Sequence, residues 1–271
     1  MSRCFDRLLS AVAIAAVSAF LVMAPLGASA GTNSLSTVFT ITAESNGSSA
    51  SFTVDPFTNT DLAVETDIND FVSSGVYNWS LVSGKSIDMV SGGKSLGKIN
   101  MLDVGLDTDP IVSLRFSMDS TDSTTIWTIS SATVPFDPIV NPIARATAAI
   151  TVTSDETDAV FAGQFGVSSP KAYQAMYNGG TVFANLVDPI TAPGGVNSLT
   201  GSERSPLGGW TTISGSVDSI QSQFSFTLTE GSSASGTSKF EVVPVPEPGS
   251  LAALGMGLIG MAGFYAKSRK K

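Results

Sequence analysis

Apolar and hydroxylated residues alternate in short runs along most of the chain. Ser36–Thr42 reads Ser-Thr-Val-Phe-Thr-Ile-Thr, and the same period of two returns at Ala50–Val54, Ile126–Ser130, Ala148–Thr153, Phe224–Thr229 and Lys239–Val243. A period of two sends successive side chains to opposite faces of a strand, and Thr, Val, Ile and Phe suit a pleated surface buried on one side. Between the runs stand Asn46-Gly47, Ser83-Gly84, Ser91-Gly92-Gly93, Asn178-Gly179-Gly180 and Pro193-Gly194-Gly195. Gly and Asn tolerate the positive φ that reversals need. About a dozen short strands with frequent turns and no long helical period predict an all-β fold, an antiparallel β-sandwich of jelly-roll-like kind.

Several stretches depart from the alternation. Leu62–Phe71 mixes Asp and Asn with apolar residues and reads as a loop or a short helical turn. Ser169-Pro170 followed by Lys-Ala-Tyr-Gln-Ala-Met-Tyr177 opens like a capped helix with proline at its first position and stops at Asn178-Gly179-Gly180. That predicts a helix of about two turns, with a loop as the alternative. The prolines at 135, 138 and 142 suit either a linker or a strand-to-strand crossover; with no fixed repeat, one continuous sandwich over 31–243 is the better reading. The Gly/Ser-rich Glu230–Ser238 still leads into a closing strand, and Pro244-Val245-Pro246 forms a stiff spacer.

The two ends carry apolar runs of a different sort. Pro246-Glu247-Pro248 breaks any helix and precedes an uncharged stretch over 250–266, which ends at the basic tail Lys267, Arg269, Lys270 and Lys271. The stretch is slightly short of the ~20 residues that cross a ~30 Å hydrocarbon layer, a deficit that a snorkelling lysine and local thinning can cover. It reads as a single transmembrane helix with the body outside. At the other end Arg3 and Arg7 precede an apolar run from Leu8 to Leu26, and Ala28-Ser29-Ala30 supplies the small-x-small site of a signal peptidase. Residues 1–30 are therefore expected to be a secretory signal peptide cleaved after Ala30. An uncleaved N-terminal anchor is the alternative.

The order of motif, span and basic tail at 244–271 closely resembles the PEP-CTERM sorting signal of Gram-negative bacteria. That resemblance implies recognition by an exosortase, a membrane-embedded transpeptidase-like enzyme, with removal of the tail near Pro246-Glu247-Pro248. It implies a transient inner-membrane intermediate and delivery to the cell surface or extracellular matrix. A permanent anchor that happens to begin with this tripeptide is the alternative. From Ile111 onward the body also resembles other exosortase substrates, through Trp127–Ser131, Tyr173, Tyr177-Asn178-Gly179, Ser202–Ser205, Gly208-Gly209-Trp210 and Ser238–Val242. This implies a shared β architecture with no assigned activity.

Charge and residue content narrow the chemistry. The whole chain has a formal charge of −9; six of its 14 basic residues lie in the two end segments, with only Asp6 and Glu247 of its 23 acidic ones, so the body carries −13. Nucleic acid and anionic membrane surfaces are poor partners for such a body. The chain has no histidine, and its one cysteine, Cys4, lies in the signal segment, which removes Ser-His-Asp, Cys-His and histidine-based metal sites. A carboxylate pair for glycoside hydrolysis is still available among Asp103, Asp107, Asp109, Asp119, Asp122 and Asp155-Glu156-Asp158, but no spacing selects one.

Gly92-Gly93-Lys94-Ser95 imitates a phosphate loop, yet Asp88 stands where its first glycine belongs, so a hairpin turn is expected. Asp103–Asp109 and Ser154–Asp158 could hold calcium, although Leu114 occupies the place of the closing Glu of a helical calcium loop. Among Trp79, Trp127 and Trp210, the alternating neighbours of Trp127 mark it as core, and Trp210 after two glycines is the one expected at the surface, where it could stack a sugar. The reading is an exported, non-enzymatic protein with a structural or adhesive role in exopolysaccharide or biofilm. A carbohydrate- or calcium-binding surface module is the alternative, and a carboxylate hydrolase ranks third. No cofactor other than calcium is expected; exosortase, signal peptidase and exopolysaccharide are the expected partners.

Overall fold

In the computed structural model, residues 37–56 and 62–245 are described. The signal segment 1–30 with Ala28 and Ala30, the Pro246-Glu247-Pro248 motif, the apolar stretch 250–266 and the tail residues Lys267, Arg269, Lys270 and Lys271 lie outside them.

The chain begins with a hairpin, β1 (Phe39–Ser45) and β2 (Ser48–Val54), turned by Asn46 and Gly47, both at positive φ as a tight hairpin demands. After β3 (Ala63–Glu65) comes α1 (Ile68–Ser74), whose first turn is capped by the Asp67 carboxylate accepting from Asn69 N at 2.7 Å, and which Gly75 closes in the left-handed region. The short helical turn expected near 62–71 is this helix, displaced toward its C-terminal side. β4 (Val76–Leu81), β5 (Ile87–Ser91) and β6 (Lys94–Asp107) follow; Gly92 and Gly93 form the β5–β6 turn, so the phosphate-loop look-alike is a hairpin.

Next come β7 (Ile111–Asp119), β8 (Thr125–Ser131), β9 (Val134–Val140), β10 (Ile143–Thr153) and β11 (Ala159–Gly163), then β12 (Tyr173–Tyr177), β13 (Thr181–Leu186), β14 (Ile190–Ala192) and β15 (Ser198–Ser205). β16 (Thr211–Thr212), β17 (Ser216–Leu228) and β18 (Ser233–Val243) complete the described fold.

These strands form two antiparallel sheets. One runs β13-β12-β17-β8-β1-β2, with β9 and β11 attached to β17 and β14 to β11. The other runs β15-β10-β18-β7-β6-β4-β3, with β16 on β10 and β5 on β6. The β7/β18 pair in the second sheet continues as the β8/β17 pair in the first, so one antiparallel ribbon passes from layer to layer. The layers meet across a shared apolar core. Phe116 of β7 lies 5.0 Å from Phe224 and 5.8 Å from Phe226 of β17, and Phe39 of β1 packs edge-on against Trp79 of β4 at 4.9 Å. Each fully buried aromatic of this kind contributes about 1.5–3 kcal/mol through its area alone.

Polar atoms inside the core are mostly paired. The Tyr173 hydroxyl bonds Ser222 Oγ at 2.9 Å, and Ser222 N donates to Ser131 Oγ at 3.0 Å. Burial pushes the Tyr173 phenol up to about 12, against the opposing pull of Ser222 and Ser238. Trp127 Nε1 donates to Ser120 Oγ at 3.1 Å, whereas Trp79 Nε1 is buried without a partner.

The helix expected at 169–177 is absent; Tyr173–Tyr177 is the strand β12. It is hydrogen-bonded to β17 on one side and β13 on the other, and Asn178 and Gly179 make the β12–β13 turn rather than a helix cap. Two flanking ladders outweigh a local capping signal worth ~1 kcal/mol. The proline-rich 134–140 stretch is likewise a strand. β9 pairs only with β17, through an irregular register, which is where a sheet tolerates residues without an N–H.

Candidate functional site

The outer face of the second sheet draws its chemistry from β10, β15 and β18. Alternation along β10 buries Ala144, Ala146, Ala148, Ile150 and Val152 and turns Arg145, Thr147, Ala149, Thr151 and Thr153 outward. Register sets Arg145 beside Glu241, Thr147 between Lys239 and Arg204, and Ala149 between Thr237 and Ser202. Farther along, Thr151 and Thr200 hydroxyls meet at 2.7 Å, and those of Thr153 and Ser198 at 2.8 Å. The result is a pleated surface of small hydroxyls with cations at one end.

One charged cluster lies on that surface, and a second lies behind it, on the face of β15 where Glu203 pairs with the buried Ala148. In the first, the Glu241 side chain is only 6% exposed because Arg145 and Lys239 close over it. Arg145 Nε donates to Oε1, and Lys239 Nζ lies 2.6 Å from Oε2. Burial opposes the charge on Glu241, but the hydrogen bonds from Lys239 and Arg145 outweigh it and hold the carboxyl below its usual range. The Arg145 guanidinium also lies 4.4 Å above the ring of Trp210, a cation–π contact. One face of that indole is thus covered, and the residue stays 37% exposed.

In the second cluster, Lys171 Nζ sits 2.9 Å from both Asp188 Oδ1 and Glu203 Oε1, and Asp188 N donates to Glu203 Oε1 at 3.0 Å. Burial works against the Lys171 charge, yet its two carboxylate partners raise its pKa; the bond from Lys171 lowers that of Asp188. An open cleft of about 820 Å³ beside the second cluster has a lining that includes Thr147, Lys171, Glu203, Arg204 and Lys239. Among the described residues Arg204 enters no ion pair.

The acids singled out in the sequence are dispersed. Asp103 faces Arg115 at 3.9 Å, Asp107 accepts from Asp109 N at 2.8 Å, Asp119 accepts from Asn100 at 2.6 Å, and Asp158 accepts from Gly194 N at 2.8 Å. Asp107 and Asp119 lie at opposite ends of the β6/β7 ladder, where Asp107 pairs with Ile111, so roughly 26 Å separates them at ~3.3 Å per residue. Among the described residues no three carboxylates converge as a metal site. Trp79 and Trp127 are core residues, and Trp210 is at the surface as expected.

Sequence reasoning missed both clusters. Arg145 and Glu241 are 96 residues apart, and Lys171 and Glu203 are 32 apart, so no local motif announces them. One sign was available: Lys239 and Glu241 sit two apart in an alternating run, hence on one face.

Among the described residues no helix is long and apolar enough to cross a membrane. No curated protein matches the chain. Among solved structures, one described as the structure of infectious bursal disease virus Gt strain aligns with 12% identity over 83% of this chain and 69% of that chain, at a TM-score of 0.14. Residues 244–270 match the family model of the PEP-CTERM protein-sorting motif, a stretch that contains Pro246-Glu247-Pro248 and most of the basic tail. The chain therefore carries a PEP-CTERM sorting motif directly after the last strand of its β body, and that motif implies export through the membrane with exosortase as the processing partner.

Proposed function

We propose that this protein is a structural or adhesive component of the cell surface or extracellular matrix, associated with exopolysaccharide or biofilm and without catalytic activity. The observation that carries the reading is the sorting motif, which begins at residue 244, immediately after β18 ends at Val243. On this reading residues 1–30 are removed after Ala30, exosortase acts near Pro246-Glu247-Pro248, and the acidic sandwich is the delivered cargo. The ribbon shared by the two layers supports the jelly-roll-like form of that cargo.

Intact-mass measurement and C-terminal peptide mapping, by cell fraction, test the reading in a host that expresses an exosortase. The expected product begins at Gly31, ends near Pro246 and is found at the surface or outside the cell. Recovery of the Lys271 terminus in the inner membrane of that host would refute it.

A carbohydrate-binding role is the second reading. Trp210 supports it, being an exposed indole beside a Ser/Thr-rich sheet face. Retention of the body on exopolysaccharide, lost on Trp210→Ala, would establish it.

A further inference from the structure

We propose that the corner of the sandwich from which the chain leaves for the sorting segment docks on the phospholipid headgroup surface of the membrane that receives that segment. This rests on the sorting reading above and adds a contact surface to it.

The position of the corner follows from β18. That strand is held to its end, Val243 pairing with Ile143 and Val242 N donating to Pro110 O at 3.0 Å. Seven residues then lead from Val243 to Ser250, where the uncharged stretch begins. Fully extended, they reach no more than ~25 Å. A body on so short a tether keeps this end toward the bilayer.

The side chains gathered there suit an interface. The β9–β10 turn brings Val140, and the loop from β15 to β16 brings Leu207 and Trp210, because Thr211 and Thr212 pair with Ala144 and Ile143. Val140, Leu207 and Trp210 are 70%, 86% and 37% exposed, in a chain that buries most residues of these types. Arg145 stands over the indole, and Arg204 lies farther along the neighbouring strand. Apolar tips, an indole at headgroup level and cations able to reach phosphate oxygens are the residue set of a membrane interface.

Acids limit the area and set the approach. Asp107 ends β6 and Asp109 lies in the β6–β7 turn at the same end, Asp137 lies on β9 and Asp218 on β17, while Glu241 is covered by Arg145 and Lys239. β10, β18 and β7 stand between β16 and the turn that carries Asp107, at ~4.8 Å per strand. The corner therefore meets the surface by its Trp210 edge. Because the body as a whole is strongly acidic, short-range contacts drive the docking, and zwitterionic lipid suffices.

The chain from Gly31 to Lys271, freed of the signal segment as the sorting reading requires, in phosphatidylcholine vesicles, some containing a lipid spin-labelled near the headgroup, provides the test. Trp79 and Trp127 are wholly buried and form an unquenched background, so Trp210 is the reporter. Flotation with the vesicles reports the membrane tether independently. The expected result is flotation together with quenching that disappears in Trp210→Phe and falls in Leu207→Asp and in Arg204→Glu. Flotation without quenching would overturn the docking and leave the sorting reading intact; failure to float would overturn the sorting reading itself. Quenching unchanged in Leu207→Asp and Arg204→Glu would show undirected contact and also overturn the docking. Slower exosortase processing of those variants without quenching would assign the corner to the enzyme instead of the lipid, which again defeats the proposal.

Discussion

Gly236 of β18 stands between its register partners Ile150 of β10 and Phe116 of β7, and Gly236→Ala tests the packing there. A Cβ at this position would stand 2.5 Å from Ile150 Cδ1 and 2.5 Å from Phe116 Cζ. Phe116 cannot swing clear, since Phe224 and Phe226 lie 5.0 and 5.8 Å from its centroid. The backbone at 236 is outside the left-handed region, so alanine lacks only space. Forcing a methyl into a packed core costs about 1–3 kcal/mol, against a gain of ~0.5–1 kcal/mol for replacing glycine within a strand. The net loss is about 1–2 kcal/mol, which for a domain of this size lowers the melting temperature by roughly 2–8 °C. Thermal unfolding by near-UV circular dichroism, on wild type, Gly236→Ala, Phe116→Leu and the double variant, reads the effect. Phe116→Leu vacates the contested space, so the double variant should be more stable than the sum of its parts by ~0.5–3 kcal/mol. An unchanged or raised melting temperature in Gly236→Ala, or strict additivity in the double variant, would refute the reasoning.

Three further outcomes follow from polar groups in and around the core. Trp127→Phe should destabilise more than Trp79→Phe by about 1–3 kcal/mol in urea titration, because it orphans the buried Ser120 hydroxyl while the Trp79 indole has no partner to lose; the reverse order would contradict the structure. Glu241 has a folded pKa below its ordinary 4.5, so it contributes stability above that pH which is lost as pH falls through the folded value. Glu241→Gln should flatten the acid limb of a plot of melting temperature against pH, and an unaltered limb would exclude the pairing. Tyr173 is raised from 10.0 to about 12, so its contribution is complete below pH 10 and lost as pH rises through 12. Tyr173→Phe should shallow the alkaline fall between those values, and an identical fall would place the phenol in solvent.

The layered β architecture was legible because its cause is local. Alternation in Phe39–Ser45 and Ala148–Thr153, and Asn-Gly turns with positive φ, fix strands and reversals within a few residues. β12 was misread for the complementary reason: Ser169-Pro170 carries a local helix signal, and only ladders to β13 and β17 decide against it. The candidate surface was hardest to see. Its ion pairs join β10 to β18 and Lys171 to β15, and strand order, which juxtaposes them, is not written in any single segment. Trp210 was marked as exposed by the glycines before it, but its guanidinium cover came from a residue 65 positions earlier in the chain, Arg145.

β18 is the last strand of the body to leave the ribosome and to cross the membrane, yet it sits between β7 and β10, the middle of its sheet. Until it arrives, β7 and β10 each present an open edge, and Phe116 and Ile150 lack the backbone that packs between them. Closure of the sandwich thus waits for the segment that immediately precedes the sorting motif. A chain cut short before β18 would have neither a finished sheet nor an address, while a chain that has both acquires them within a few residues of each other. The order of synthesis thus places the delivery signal after the strand that completes the sheet, and a body without β18 keeps the open edges of β7 and β10.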